Sequence, residues 1–394
     1  MKIENMKKFE LTFELKQHTP LIHFQHSQEG ATLRATEVKP KLDKFIIEKK
    51  GGKENFQDWF IDVDRDSLDY KIKIISNDVI LKSILKGENI PLYYGNMGDE
   101  YDKNPKTFSF TNQKINIKFV SFNSEIIKEI NNRFVSFIAS TNFGTRQNKG
   151  FGSFFLNLDS EKHSDINIDE VFRDISYLKL AINKASVNFD DIKSSPVFNI
   201  INYYYQRLKS GINYSSSKFN HYQPSFLKQY LNSKYNYNWE KRWLKENFFP
   251  IPKKDDTKKF ARIMLGLGNT YTFINKPNPN NKNIAKKNYP KNKLTINVKS
   301  EDPDFERFKS PITFKPIVLD SEIRIYIITN KIKEDIANKE FKFSLSNQSM
   351  VLSTPNKEEI IDVEDLIREY HKHLGTKFIA YTFSGKPNYQ VEIK

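Results

Sequence analysis

Along the first stretch of the chain, apolar positions switch between a period of two and a period near 3.6. Phe9, Leu11, Phe13 and Leu15 alternate with polar residues, the pattern of a half-buried strand. Val38, Leu42, Phe45 and Ile46 then share one face, predicting a helix over 38–47 with Pro40 in its first turn, where no N–H is needed. Alternation returns over 71–75, through Ile72 and Ile74, and over 114–120, through Ile115, Ile117 and Phe119. Ile126, Ile127, Ile130, Phe134, Phe137 and Ile138 recur at helical spacing across 125–140, and an aromatic-rich strand is predicted over 150–158. The order β-α-β-β-α-β is that of a ferredoxin-like domain, shared by RNA-recognition domains and by many unrelated proteins.

Beyond a polar connection at 160–175 the pattern changes. Residues 176–250 read as a helical insertion rich in aromatics: Tyr203, Tyr204, Tyr205, Tyr222, Tyr230, Trp239 and Trp243. These rings either stack on bases or pack a small helical core. Residues 275–293 carry six lysines and no acid, too polar to order themselves, and read as a mobile basic loop or a solvated connection. Strand patterns resume over 311–318, 322–329 and 341–345. A helix over 357–374 follows, with early acids, His371, Lys372 and His373 late, and Gly375 beyond it. Residues 377–383 complete the series as a strand. The expected architecture is therefore α+β: two ferredoxin-like (RRM-like) domains, 1–160 and a divergent 258–394, with a helical insertion at 176–250.

Composition narrows the chemistry. Lys and Arg outnumber Asp and Glu by 63 to 48, giving a net charge of +15 and favouring a polyanionic partner. The abundance of Lys, Asn, Ile, Tyr and Phe is also what an AT-rich genome produces, which discounts that charge. With no cysteine, disulfides, thiolate metal sites and cysteine nucleophiles are excluded. No apolar run approaches the ~18 residues that span a bilayer, and Met1–Lys8 is charged where a signal peptide would be apolar. A cytoplasmic protein with no membrane partner is expected.

The segment 142–153 holds Gly144, Gly150 and Gly152 with Arg146 and Lys149, and no acid. Glycine permits positive φ and close approach of a partner, and successive exposed N–H groups form an anion-binding concavity. The alternative is an ordinary glycine-rich turn from helix to strand. A second basic segment, 30–44, places Arg34 before the first helix and Lys39, Lys41 and Lys44 within it. In this topology the two segments leave neighbouring central strands and meet on one side of the sheet. Lys41 and Lys44 also suit a plain solvated helix face; Arg34, between small residues, suits it less.

His18, His23 and His26 cluster in sequence. His23 and His26 could act as general acid and base, the 2′-hydroxyl of RNA attacking its own phosphate, or simply be loop residues. No third ligand at recognisable spacing follows them, so no metal is expected. Asp62, Asp64, Asp66 and Asp69 lack the glycine an EF-hand loop requires. Neither a Walker pattern nor a nucleophile elbow occurs, and no cofactor is expected.

Thr19-Pro20-Leu21 together with Leu33–Lys39 resembles the opening motif of RAMP proteins, the RNA-binding subunits of CRISPR effector complexes. Gly144–Ser153 resembles their glycine-rich loop. The arrangement Phe143-Gly-x-Arg-x-x-x-Gly-Phe-Gly-Ser is most similar to the family of first subunits of type III-B (Cmr) complexes. The match is specific over 9–155 and loose over 258–390. Lys39-Pro40 departs from the family's usual lysine–glycine, and Gly385-Lys386 is at most a remnant of a second glycine-rich loop. The resemblance implies a non-catalytic subunit of a ribonucleoprotein. It would hold guide RNA, or target RNA paired to it, and contact neighbouring RAMP subunits. Arg146 and Lys149 would grip phosphates, with Thr145 beside them and Gly144, Gly150 and Gly152 admitting the RNA backbone. Arg34 and Lys39 would line the adjoining half of the groove. The runner-up is a metal-independent endoribonuclease using His23 and His26.

Overall fold

The structure is a computed structural model that describes all residues except 1–5, 24–31, 55, 84–106, 188, 190–191, 193–194, 216–219, 238–243, 245–258, 275–292, 304, 306–307 and 382–387. His26, Trp239, Trp243, nearly all of the basic 275–293 segment and the Gly385-Lys386 remnant thus lie outside the described residues. The fold is α+β, built from several antiparallel sheets and helices.

The elements read from the first 160 residues form where their periodicities place them: β1 (Glu10–Gln17), α1 (Ala35–Lys49), β2 (Lys71–Ile75), β3 (Ile115–Val120), α2 (Ser124–Ser140) and β4 (Phe154–Leu156). β1 pairs with both β4 and β3, and β2 lies outside β3, every pair antiparallel. The order across the sheet is β4-β1-β3-β2, and the two-residue strand Met6–Lys7 pairs with the start of β1 as a fifth strand. Leu11, Phe13, Ile117 and Phe119 meet Ile126, Ile130 and Phe134 of α2 and Leu42 and Ile46 of α1 in one core. Phe13 stacks on Phe134 with centroids 4.4 Å apart. Asn123 caps α2 by accepting from the Glu125 and Ile126 amides, which ends the preceding loop cleanly.

Helix α1 begins three residues earlier than its apolar face suggests. Arg34, in an extended conformation, is its N-cap, so Pro40 sits in the second turn rather than the first. The apolar stripe starts at Val38 only because the first turn is exposed or half-buried.

A second five-stranded sheet joins distant segments: β5 (Tyr177–Ala181), β6 (Ile312–Val318), β7 (Glu322–Thr329), β8 (Lys377–Ala380) and β9 (Tyr389–Ile393), in the order β6-β7-β5-β9-β8. Strand β5 lies where a helical insertion was expected. Leu178 and Leu180 point inward in a five-residue alternation too short to stand out beside the helical pattern that follows. The helix Pro196–Lys209 and the helix Val363–Leu374 complete a sequence order β-α-β-β-α-β that starts at Tyr177, with a long excursion after its first helix. That excursion is not purely helical. It contains the hairpin Ile212–Ser215/Asn220–Gln223 as well as the helix Phe226–Tyr235. The predicted helix over 357–374 is a single turn at Lys357–Glu359 followed by Val363–Leu374.

Contacts divide the chain into two compact units, 1–204 with 313–328 and 374–394, and 205–312 with 329–373. These units cut across the divisions 1–160, 176–250 and 258–394 read from the sequence. The first unit holds both five-stranded sheets. The second holds a four-stranded sheet in the order Thr270–Ile274, Lys293–Ser300, Glu340–Leu345, Gln348–Ser353. The predicted strand at 341–345 therefore forms, but in this sheet. Tyr203, Tyr204 and Tyr230 are buried packing residues: Tyr204 meets Phe314 edge-on, and Tyr230 donates to Asp365 at 2.5 Å.

Candidate nucleic-acid interface

The segment 142–153 is a closed loop. Asn142 bridges to Ser153, the Phe143 amide donates to the Gly152 carbonyl at 2.9 Å, and the His18 amide donates to the Ser153 carbonyl at 2.8 Å. The Thr19-Pro20-Leu21 motif laces directly onto it. Thr19 Oγ1 donates to the Gly150 carbonyl at 2.6 Å and accepts from the Ser153 amide at 2.9 Å. The Gly152 amide donates to Pro20 and the Thr145 amide to Ile22, each at 2.8 Å. Two segments that look like separate motifs in sequence are thus one hydrogen-bonded assembly.

The three glycines all adopt positive φ, as the loop pattern requires. The partner they admit, however, is the protein itself. A Cβ on Gly144 would collide with the Ile22 carbonyl oxygen, one on Gly152 with the Phe143 carbonyl oxygen, and one on Gly150 would lie 2.7 Å from Ile201 Cδ1. The amides of Phe143, Thr145, Lys149, Gly150 and Gly152 are all spent on internal carbonyls, so they are not an open concavity for an anion. In this structure Gly144, Gly150 and Gly152 shape the loop from within.

Strand β6 supports the loop from the far part of the chain. Asn142 Nδ2 donates to the carbonyls of Gln147 at 2.7 Å and Phe314 at 2.8 Å, and Ser153 Oγ donates to Pro316 at 2.7 Å. Lys315 is fully buried and donates to the carbonyls of Thr141 at 2.8 Å and Phe154 at 2.7 Å. Burial, and then the charge of Lys41, hold its ammonium well below the usual lysine range. Phe151 stacks on Phe198 of the helix Pro196–Lys209 at 4.1 Å.

What remains at the surface is the short turn Thr145–Lys149, half-buried throughout. Arg146 is held at φ 57 and ψ 25, a left-handed conformation that costs a non-glycine residue energy and concentrates at functional sites. Lys149 lies close enough to Arg146 to feel its charge. Burial first, and that charge second, push its ammonium down to about 8.

The two basic residues chosen on α1 fare differently. Arg34 is half-buried at the helix start. Lys39 is turned inward: its ammonium donates to Asp43 Oδ2 at 2.9 Å and to the Leu68 carbonyl at 2.7 Å, and lies 3.9 Å from the Tyr70 ring centroid. Lys41, read as a solvated lysine, instead ties α1 to the loop. It donates to the Asn142 carbonyl and to Gln147 Oε1, each at 2.7 Å, and sits over the Phe143 ring. Helical spacing carries this signal. Arg34 and Lys41 are seven residues apart and share a face, whereas Lys39 lies about 140° around from Arg34. Lys41→Met is expected to cost about 2 kcal/mol in denaturant unfolding, because two carbonyl-type acceptors lose a charged donor. Lys44→Met, on an exposed side chain, should stay within about 0.5 kcal/mol of the parent.

His18 and His23 are packed. His18 is buried and accepts from the Val318 amide through Nδ1 at 3.0 Å; burial, then Lys16 and Lys315, keep its imidazole well below the usual range and neutral. His23 is buried beside Ser109 and 3.7 Å from Glu37. Among the described residues, no three His, Asp or Glu side chains gather as metal ligands, and no helix is long and apolar enough to cross a membrane.

The sequence matches the family model of the Cmr1 N-terminal domain over residues 8–212 and that of the Cmr1 C-terminal domain over residues 222–382. No curated protein matches it. Among solved structures it is similar to the crystal structure of Cmr1 from Pyrococcus furiosus in its apo form. That match has 11% identity and a TM-score of 0.40, covering 83% of this chain and 90% of that one.

Proposed function

The chain belongs to the Cmr1 family of type III-B CRISPR effector-complex subunits, and from that premise we propose that it is a non-catalytic RNA-binding subunit of that complex. It holds guide RNA, or target RNA paired to it, and contacts neighbouring RAMP subunits in the cytoplasm. The observation that carries this reading is the turn Thr145–Lys149: two cations on a strained surface turn whose every internal tie is made by the protein. Strain and positive charge kept together at the surface serve a phosphate better than they serve packing. Arg34 extends the basic edge. Lys39, spent on Asp43 and Leu68, is left out of it, and Lys41 positions the turn from behind.

The ferredoxin-like reading of both five-stranded sheets is supported by their strand order. In the first set the fourth, first, third and second strands lie side by side as β4-β1-β3-β2; in the second the fifth strand, β9, takes the fourth's place in β9-β5-β7-β6, with β8 paired at its outer edge. The buried, hydrogen-bonded placement of His18 and His23 favours a structural role for them over cleavage.

RNA affinity should depend on pH through Lys149. Its proton is needed to pair with phosphate, so affinity is highest below about pH 8 and falls several-fold toward about pH 9. Fold stability moves the other way. The folded ammonium holds its proton less tightly than an ordinary lysine at 10.5, so the unfolded chain binds more protons between about 8 and 10.5, and stability rises with pH across that window. Lys149→Arg should flatten the binding profile measured by fluorescence anisotropy.

The function is tested by purifying the tagged chain from its native host and sequencing the RNA that comes with it. Short RNAs carrying CRISPR repeat sequence, together with other Cmr subunits, are expected. Clean protein with neither would overturn the assignment.

A further inference from the structure

We propose that Gln147 and Asn142 are positioning residues for RNA binding: together they hold the turn Thr145–Lys149 in the conformation that sets Arg146 and Lys149 beside each other. The inference deepens the reading of that turn as a phosphate site and rests on it. Both residues are uncharged, so their part is to hold the two cations rather than to add to them.

The backbone of the turn does not fix this shape. Arg146 sits at φ 57, a conformation an L-residue adopts only at a cost. The Lys149 amide donates to the Arg146 carbonyl at 2.8 Å and the Gly150 amide to the Gln147 carbonyl at 3.2 Å. Both bonds close rings that leave out the φ of Arg146. Gln147 supplies the missing constraint. Its Nε2 donates to the Gly144 carbonyl at 3.4 Å, closing a ring through Thr145 and Arg146 that includes the strained angle. Its Oε1 accepts from Lys41 Nζ of α1 at 2.7 Å, and its carbonyl accepts from Asn142 Nδ2, also at 2.7 Å.

Asn142 is anchored in turn. It is buried, its own carbonyl accepts from Lys41 at 2.7 Å, and its Nδ2 also donates to the Phe314 carbonyl of β6 at 2.8 Å. The turn is thereby tied to α1 on one side and to β6 on the other. Like charges left to themselves separate. Lys149 instead stays in the field of Arg146 and largely out of water, with Lys41 and Lys315 the cations that donate to the loop from α1 and β6. Cations held in this way gain most when an anion sits between them, and the geometry has to be kept by uncharged neighbours that are themselves fixed.

The test uses the full chain with Gln147→Met and, separately, Asn142→Ala. Gln147→Met preserves side-chain length on a half-buried residue, so its thermal melt should lie close to wild type, and it decides the matter if Asn142→Ala folds poorly. Proton loss at Lys149 is followed without RNA, through the pH dependence of its acetylation by acetic anhydride, read by mass spectrometry. The wild-type midpoint is expected at about 8, and in either variant it should rise by about one pH unit or more as the ammonium gains water and moves away from Arg146. Loss of stability alone would not move it. Affinity for a single-stranded RNA of mixed sequence should fall about tenfold by fluorescence anisotropy. The same substitution in an Arg146→Ala/Lys149→Ala background should have no further effect. An unchanged midpoint, an unchanged affinity, or an equal loss in both backgrounds overturns this inference alone. Wild type that fails to bind RNA, even with a midpoint that moves in the variants, overturns the phosphate reading and the role assigned here with it.

Discussion

Gly152→Ala should cost about 3 kcal/mol or more in denaturant unfolding and should abolish tight RNA binding with it. The new Cβ would fall well inside contact distance of the carbonyl oxygen of Phe143, the residue whose amide donates to the Gly152 carbonyl to close the loop. Relief requires breaking the bond that closes the loop, and φ +64 adds strain that no rotamer can remove. The same change at Gly51 is the control. That residue also has positive φ, but nothing lies within 4 Å of its Cβ, so only the backbone term of about 1 kcal/mol remains. Equal losses at the two positions would show that the loop does not depend on the close approach at Gly152.

Arg146→Ala combined with Lys149→Ala should weaken RNA binding at least thirtyfold on every sequence while leaving the fold intact. Each lost charge-assisted phosphate contact is worth about 1.5 kcal/mol or more, and 1.4 kcal/mol is tenfold. Two fewer phosphate contacts should also lower the salt slope by about 1.4 on single-stranded RNA. The internal amides and carbonyls of the loop are untouched, so the loss would be electrostatic. Arg146→Gly separates function from strain. It removes the charge yet relieves a left-handed arginine, so stability should rise by about 1 kcal/mol while affinity falls. Unchanged affinity in the double variant would remove the turn from the RNA interface.

Much of the first sheet was legible because its elements declare themselves locally. Phe9 to Leu15 and Ile115 to Phe119 alternate because one side of each strand is buried, and α2 shows a broad apolar face from Ile126 to Ile138. The positive φ of Gly144, Gly150 and Gly152 was equally readable, since the glycine pattern requires it. Their purpose was not. A sequence shows that a glycine makes room, but not whether RNA or the carbonyls of Phe143 and Ile22 take that room. Lys39 and Lys41 were separable by helical spacing alone, once Arg34 is taken as the reference.

The second sheet shows where local reading ends. Strand β5 pairs with β7, which lies more than a hundred residues on, and its own five residues carry only two inward apolar positions. Strand β6 reads as a strand from its composition, yet nothing in it announces that Lys315 will donate to Thr141 and Phe154, or that Val318 will meet His18. The sequence by itself determined where the first-domain helices and strands form, where the chain turns with positive φ, and that its net charge suits a polyanion. These depend on periodicity and on the backbone freedom of single residues. Tertiary structure alone decided which carbonyls the glycines face, which lysines are spent internally, and which strand braces the loop. Those outcomes come from burial and hydrogen bonds between segments far apart in the chain, whose energies no local pattern records.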